Sequence, residues 1–148
     1  MAGLYNRLNF NRVYFSAYQK GLGDPGIPGE KRPAADPGVT FMREHRLYQV
    51  DFLLRKYGFQ EGEIPLDRTG NLPLERDPKQ VWADNHPGFY PVRINASDKE
   101  TLLRVPGLGP ETVRQILRIR RERKIGQIED LRIRGKRAEK LRRYLICE

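Results

Sequence analysis

One cysteine, one tryptophan and two histidines are all that 148 residues contain of those types, and each scarcity removes a class of function. Cys147 alone forms no internal disulfide and no multi-cysteine metal site, which points to a reducing, cytoplasmic setting. No histidine lies near it in sequence to activate it. His45 and His86 are too few for a site that needs three or more ligands, so no metal is expected. No run of about 18 apolar residues occurs, which excludes a transmembrane helix and leaves no membrane partner. The N-terminus also lacks a basic-then-apolar signal pattern.

Acidic charge is the other shortage, and it is local. Residues 92–148 hold 16 Lys and Arg against 8 Asp and Glu, a net of +8, whereas residues 1–91 hold 12 against 11. Nearly all of the +9 net charge therefore sits in the C-terminal part, as expected of a surface that meets a polyanion.

That basic part carries the most informative pattern, Ser97–Leu117. Ser97 and Glu100 have capping-box spacing, predicting a helix from about Asp98 with Leu102, Leu103 and Val105 on its apolar edge. Pro106 and Gly107 stop it. Gly109 suits a left-handed or close-approach backbone, and Pro110 suits the first position of the next helix, which carries Val113, Ile116 and Leu117 inward. This is the pattern of a helix-hairpin-helix, whose turn and second helix present backbone amides to a phosphate. The candidate phosphate-binding residues are Gly107, Leu108, Gly109, Glu111 and Thr112, with Arg114 and Arg118 on the following turns. A second, degenerate unit follows: a short helix over 127–131, a turn over 132–136 and a helix over 137–146. It has one hairpin glycine, Gly135, and Lys136 and Arg137 stand where the first unit has its phosphate contacts.

The N-terminal part is less regular. Residues 11–18 have the β-branched and aromatic content of a strand, and residues 20–37 read as an exposed Gly- and Pro-rich loop. Met42, Leu47, Val50, Leu53, Leu54 and Tyr57 recur at helical spacing, predicting an amphipathic helix over 39–57 that ends at Gly58. Asp77-Pro78 predicts a capped short helix over 78–85 bearing Trp82. Trp82 and Tyr90 read as buried at the junction between segments rather than as base-stacking residues. The Arg43-Glu44-His45-Arg46 cluster reads as helix-surface ion pairs and hydrogen bonds.

Three motifs together resemble the C-terminal third of a radical-SAM family assigned to DNA modification or repair, often encoded beside a uracil-DNA-glycosylase-like protein. Val13-Tyr14-Phe15-Ser16-Ala17-Tyr18 is similar to the last barrel strand of that family. Arg43–Asp51, continuing into Leu53-Leu54-Arg55 and Tyr57-Gly58-Phe59, is similar to a distinctive helix. Asp77-Pro78-Lys79 with Trp82 and His86-Pro87, leading to Pro91-Val92-Arg93-Ile94-Asn95, looks like the approach to its hairpin domain. The resemblance implies a [4Fe–4S] cluster and S-adenosylmethionine as cofactors of the whole enzyme. The clustered cysteines that such a cluster needs do not occur in this chain, so no cofactor is expected on it. The implied partners are DNA, a separately supplied radical-SAM barrel and a uracil-DNA-glycosylase-like protein.

The expected architecture is mainly α: residues 1–91 as the tail of a barrel, with one strand and an amphipathic helix, then a tandem helix-hairpin-helix domain over 92–148. The leading function is sequence-independent DNA binding, with no catalytic residue assigned. The alternatives are a protein-interaction domain, a non-functional fragment of a split enzyme, and a glycosylase. The last would need a carboxylate to reach a flipped base, and Glu129 and Asp130 fall inside a helical unit.

Overall fold

The computed structural model describes residues 1–16, 18–31 and 36–148. It is mainly helical, with one short parallel strand pair. A five-residue helix, α1 (Ala2–Asn6), is followed by irregular chain that crosses α2 (Pro37–Lys56). Asp36 caps α2 by accepting the N–H of Gly38 at 2.7 Å and of Val39 at 3.3 Å, and Pro37 fills the first position, where no N–H partner is needed.

The expected strand over residues 11–18 does not form. Ala17 lies outside the described residues, and the rest of the segment pairs with no strand. Tyrosine hydroxyls on either side take its backbone groups instead. The N–H of Val13 donates to the Tyr5 hydroxyl at 3.2 Å. Tyr48 binds both the N–H and the carbonyl of Phe15, at 3.2 and 3.1 Å. Tyr5 in turn donates to Asp51, which also accepts from Arg55. The expected loop over 20–37 ends at Asp36, and residues 32–35 of it lie outside the described residues.

The expected stripe of α2, Met42, Leu47, Val50, Leu53, Leu54 and Tyr57, is buried or half-buried, but it does not account for the whole inward face. The buried residues of the helix are Arg46, Val50, Asp51 and Leu53, while Phe41 and Phe52 are 70% and 52% exposed. Two charged residues therefore occupy inward positions. Arg46 is not a surface ion-pair residue: its guanidinium is buried and holds the Leu74 carbonyl through Nε at 3.0 Å and Nη2 at 2.9 Å. Gly58 (φ +70°) turns the chain out of the helix, and the N–H of Phe59 returns to the Leu53 carbonyl at 3.1 Å. Buried Phe59 then meets Trp82 edge to face, centroids 5.6 Å apart. Trp82 lies on α3 (Pro78–Asn85), which is opened by Asp77 and Pro78 just as α2 is by Asp36 and Pro37.

The C-terminal part builds the main core. Strand β1 (Val92–Arg93) pairs in parallel with β2 (Leu145–Ile146), tying the two ends of the region together. Between them lie α4 (Lys99–Leu103), α5 (Pro110–Glu122), a 3₁₀ turn over Ile128–Leu131 and α6 (Gly135–Arg142). The last helix thus stops four residues before Ile146, because Leu145 and Ile146 extend to pair with residues more than fifty positions earlier. Ile94, Leu102, Val105, Leu108, Val113, Ile116, Ile125 and Leu141 are fully or almost fully buried in one cluster. The cap of α4 is Asp98, which accepts the Thr101 N–H at 2.7 Å, and not Ser97. The Ser97 carbonyl instead accepts from Arg120 at 2.5 Å.

Tyr57, Phe89 and Tyr90 lie against both this core and the Leu53–Phe59–Trp82 cluster. Arg104 reinforces the contact with a two-pronged pair to Glu63, at 2.7 and 2.8 Å from Nη2. Trp82 is buried at the junction and Tyr90 is partly buried there, its hydroxyl donating to the Arg104 carbonyl at 2.9 Å. In urea unfolding, Leu102→Ala is expected to lower stability by about 2–5 kcal/mol through the cavity it leaves. Asp98→Ala is expected to lower it by about 1 kcal/mol through loss of the cap.

Candidate functional site

The turn from Val105 to Gly109 is shaped from both sides. Inside, Leu108 is buried in the core and its N–H donates to the Val105 carbonyl at 3.1 Å. Leu108 therefore offers only backbone to a ligand. Outside, Gly107 is exposed and takes φ +91°, the left-handed conformation that L side chains rarely adopt. A Cβ there would also stand 3.3 Å from Leu141. Of the two conformations expected at Gly109, left-handed or close-approach, the left-handed one is not taken: it has φ −105° and serves as the N-cap of α5. A Cβ there would stand 3.4 Å from the Tyr57 hydroxyl, an ordinary contact, so Tyr57 is the neighbour of Gly109 without excluding a side chain.

Helix α5 starts without a side-chain cap, since Gly109 has none to give and Pro110 follows it. This contrasts with α2, α3 and α4, each capped by an aspartate. The first-turn amides of α5 thus keep the partial positive charge of a helix N-terminus with no internal acceptor. Helix α6 likewise begins without a side-chain cap, after Arg134, with Gly135 at φ +60°.

The side chains around the turn are brought together unevenly. Arg137 of α6 reaches across to the first turn, where Nη2 donates to the Gly107 carbonyl at 3.1 Å and to the Thr112 hydroxyl at 2.9 Å. Gly107, Thr112 and Arg137 therefore form one group, with the guanidinium at the mouth of the uncapped helix. Arg114 pairs with Glu111 at 2.6 Å, but both are largely exposed, so the pair is weak and easily exchanged for a stronger anion. Arg118 lies one turn further along the same shallow surface. Lys136 does not join the group. It faces a polar cleft with Arg76, Lys140 and Arg143 between α3 and α6.

Sequence reasoning missed the residue beneath the turn. Lys79 of α3 is 6% exposed, donates from Nζ to the Leu108 carbonyl at 2.6 Å and sits 4.6 Å above the Tyr57 ring centroid. Burial pulls its pKa down to about 7, nearby Lys140 adds to the fall, and Asp77 opposes it. The local pattern around Asp77-Pro78-Lys79 marks a helix start and gives no sign that the lysine points inward. The carboxylates that a base-excision reading would need have structural partners: Glu129 pairs with Arg142, and Asp130 accepts the N–H groups of Gly126 and Gln127 at 2.9 and 3.2 Å.

The residues present do not fit an iron–sulfur cluster. The chain's one cysteine, Cys147, is partly buried beside β2, and burial raises its thiol pKa away from the thiolate that a cluster requires. Among the described residues no group of three or more His, Cys, Asp or Glu could hold a metal ion. Nor is any helix among them long and apolar enough to cross a membrane.

Lys79 gives the turn a distinctive pH signature. It titrates near 7 when folded and near its ordinary 10.5 when unfolded, so the unfolded chain holds more protons between those values. Stability is therefore expected to rise with pH across that window. Urea midpoints at pH 6 and pH 9 should show this rise for the wild-type protein and a smaller one for Lys79→Met. Equal rises in the two proteins would contradict the assignment.

Comparison of the chain with family models, curated proteins and solved structures finds no match in any of the three.

Proposed function

We propose that this chain is a DNA-binding module that grips backbone phosphate through the α4–α5 turn. In this reading α4, the turn and α5 form a helix-hairpin-helix, and the 3₁₀ turn with α6 forms a second unit packed against it. The observation that carries the reading is the uncapped N-terminus of α5, with the Arg137 guanidinium bound to Gly107 and Thr112 at its mouth. A phosphate oxygen placed there accepts from the first-turn amides and faces a fixed cation. The excess of basic residues in 92–148 supplies the surrounding field. Contacts of this kind set position on the strand and carry no base sequence, so binding is sequence-independent.

The same reading places the chain as the C-terminal part of a radical-SAM protein of DNA modification or repair. In it the module serves a barrel that holds the cluster and S-adenosylmethionine, and a uracil-DNA-glycosylase-like protein is a further partner. Leu8, Phe10, Tyr14 and Phe41 are large apolar side chains at least half exposed. They favour a second reading, in which the N-terminal part docks onto a protein partner, and both can hold at once.

The test is a fluorescence-anisotropy titration of labelled duplex DNA at several salt concentrations. Affinity should fall with salt by a slope of about 0.9 per phosphate neutralised on a log–log scale. Arg137→Ala is expected to weaken binding about tenfold, the scale of one charge-assisted hydrogen bond. Gly107→Val should weaken it further while leaving the helical content intact. Salt-insensitive binding, or none at low salt, would leave the protein-interaction reading.

A further inference from the structure

A groove of about 360 Å³ opens between the second half of α2 and the start of α3, immediately beside the turn. Small-ligand clefts span about 300–1,000 Å³, so it holds one planar ring system with room to spare. Its walls are themselves rings, from His45, Tyr48, Phe52 and Tyr57. The Tyr48 hydroxyl is occupied by the Phe15 backbone. Phe52 is 52% exposed, with the Arg55 guanidinium 5.5 Å from its centroid. Arg55 is the one cation over this ring among the described residues, and about half of the phenylalanine surface stays open to a stacking partner.

The groove also holds a buried cation. Lys79 lines it and gives one of its three protons to the Leu108 carbonyl; its other two donors meet no acceptor among the described residues. Through Lys79 and Tyr57 the groove is continuous with the turn, because the first holds Leu108 and the second stands against Gly109. A strand whose phosphate rests at the start of α5 therefore has an adjoining base within reach of the groove. The groove carries both signs: Lys79 and Asp77 line it, the Asp77 carboxylate is engaged by Gln49 and by the N–H groups of Lys79 and Gln80, and Arg137 stands on the other side of the turn.

We propose that this groove is a nucleobase subsite, which takes one unpaired base of the bound strand and stacks it on Phe52 beside His45 and Tyr57. The proposal rests on the phosphate reading of the turn and adds a preference for strands with unpaired bases. Stacking on an aromatic face accepts any base, so the preference is for a base over none, without sequence selectivity. Lys79 lies where it donates to a ring nitrogen or carbonyl oxygen at the base edge.

The experiment compares two labelled single strands of equal length and charge, one of thymidines and one with an abasic backbone. The wild-type protein should bind the thymidine strand at least about fivefold more tightly, the lower end of what one stacked base contributes. Phe52→Ala should bring the two probes to within about twofold while leaving abasic affinity unchanged, since only stacking is lost. His45→Ala should reduce the preference in part. Phe52 and His45 are exposed, and an unchanged urea midpoint confirms that each variant folds. Equal wild-type binding of both probes, or a Phe52→Ala loss that is the same for both, would overturn the subsite and leave the phosphate reading standing. Equal binding is also what an apolar protein segment as the groove's true occupant predicts. If the abasic strand fails to bind at low salt, or binds Gly107→Val as well as wild type, the phosphate reading fails and the subsite fails with it.

Discussion

The contact between the Lys79 ammonium and the Leu108 carbonyl joins the two parts of the molecule at the point where function is assigned. Burying an ammonium is costly unless its charge is met, and here one carbonyl and the face of Tyr57 meet it only in part, so burial still pulls its pKa down to about 7. The consequence is mutual. The carbonyl of Leu108 is fixed from below, so Gly107 and Gly109 are held on either side with their backbones outward. In return α3 is anchored on the C-terminal core, together with Tyr57 and the Arg104–Glu63 pair. Tyr57, Glu63 and α3 thus act as a buttress for the turn.

Two features compete for the charge at the start of α5. Glu111 adds an acidic group in the first turn, which favours the isolated helix through its dipole and opposes an incoming phosphate. Arg114 neutralises that carboxylate locally. A bound phosphate would draw Arg114 away from Glu111, and the exposure of both side chains makes the exchange inexpensive. Arg137 is placed differently, held by Gly107 and Thr112 before any ligand arrives. It loses little freedom on binding, and preorganised contacts of that kind contribute more affinity than mobile ones.

What could be read from the sequence followed local chemistry. Asp77-Pro78 marks a helix start because cap and first-turn preferences act within a few residues, whereas the same pair at Asp36-Pro37 falls in the expected loop and α2 begins two residues before the expected Val39. Pro110 marks the start of α5 for the same reason. The misreadings depend on distant partners. Residues 11–18 have strand-like composition, yet the hydroxyls of Tyr5 and Tyr48 bind the backbone at Val13 and Phe15 in place of a neighbouring strand. Leu145 and Ile146 continue the helical pattern of α6 but are drawn into a ladder with Val92 and Arg93. The candidate site divides the same way. Gly107 and Thr112 were legible from the turn pattern, whereas Lys79 was not, because its burial is decided by a carbonyl 29 residues away. The sequence pattern places Arg137 in the second unit, and only packing of α6 against the turn brings it to the first.

The most direct test of the central claim is an amide NMR titration of the full chain with a short DNA duplex at low salt. If the turn grips phosphate, the largest shift changes fall on the N–H groups of Gly107, Gly109, Glu111 and Thr112, with the side-chain signal of Arg137 moving in step. Changes concentrated instead around Lys136, Lys140 and Arg143, with the turn unmoved, would contradict it.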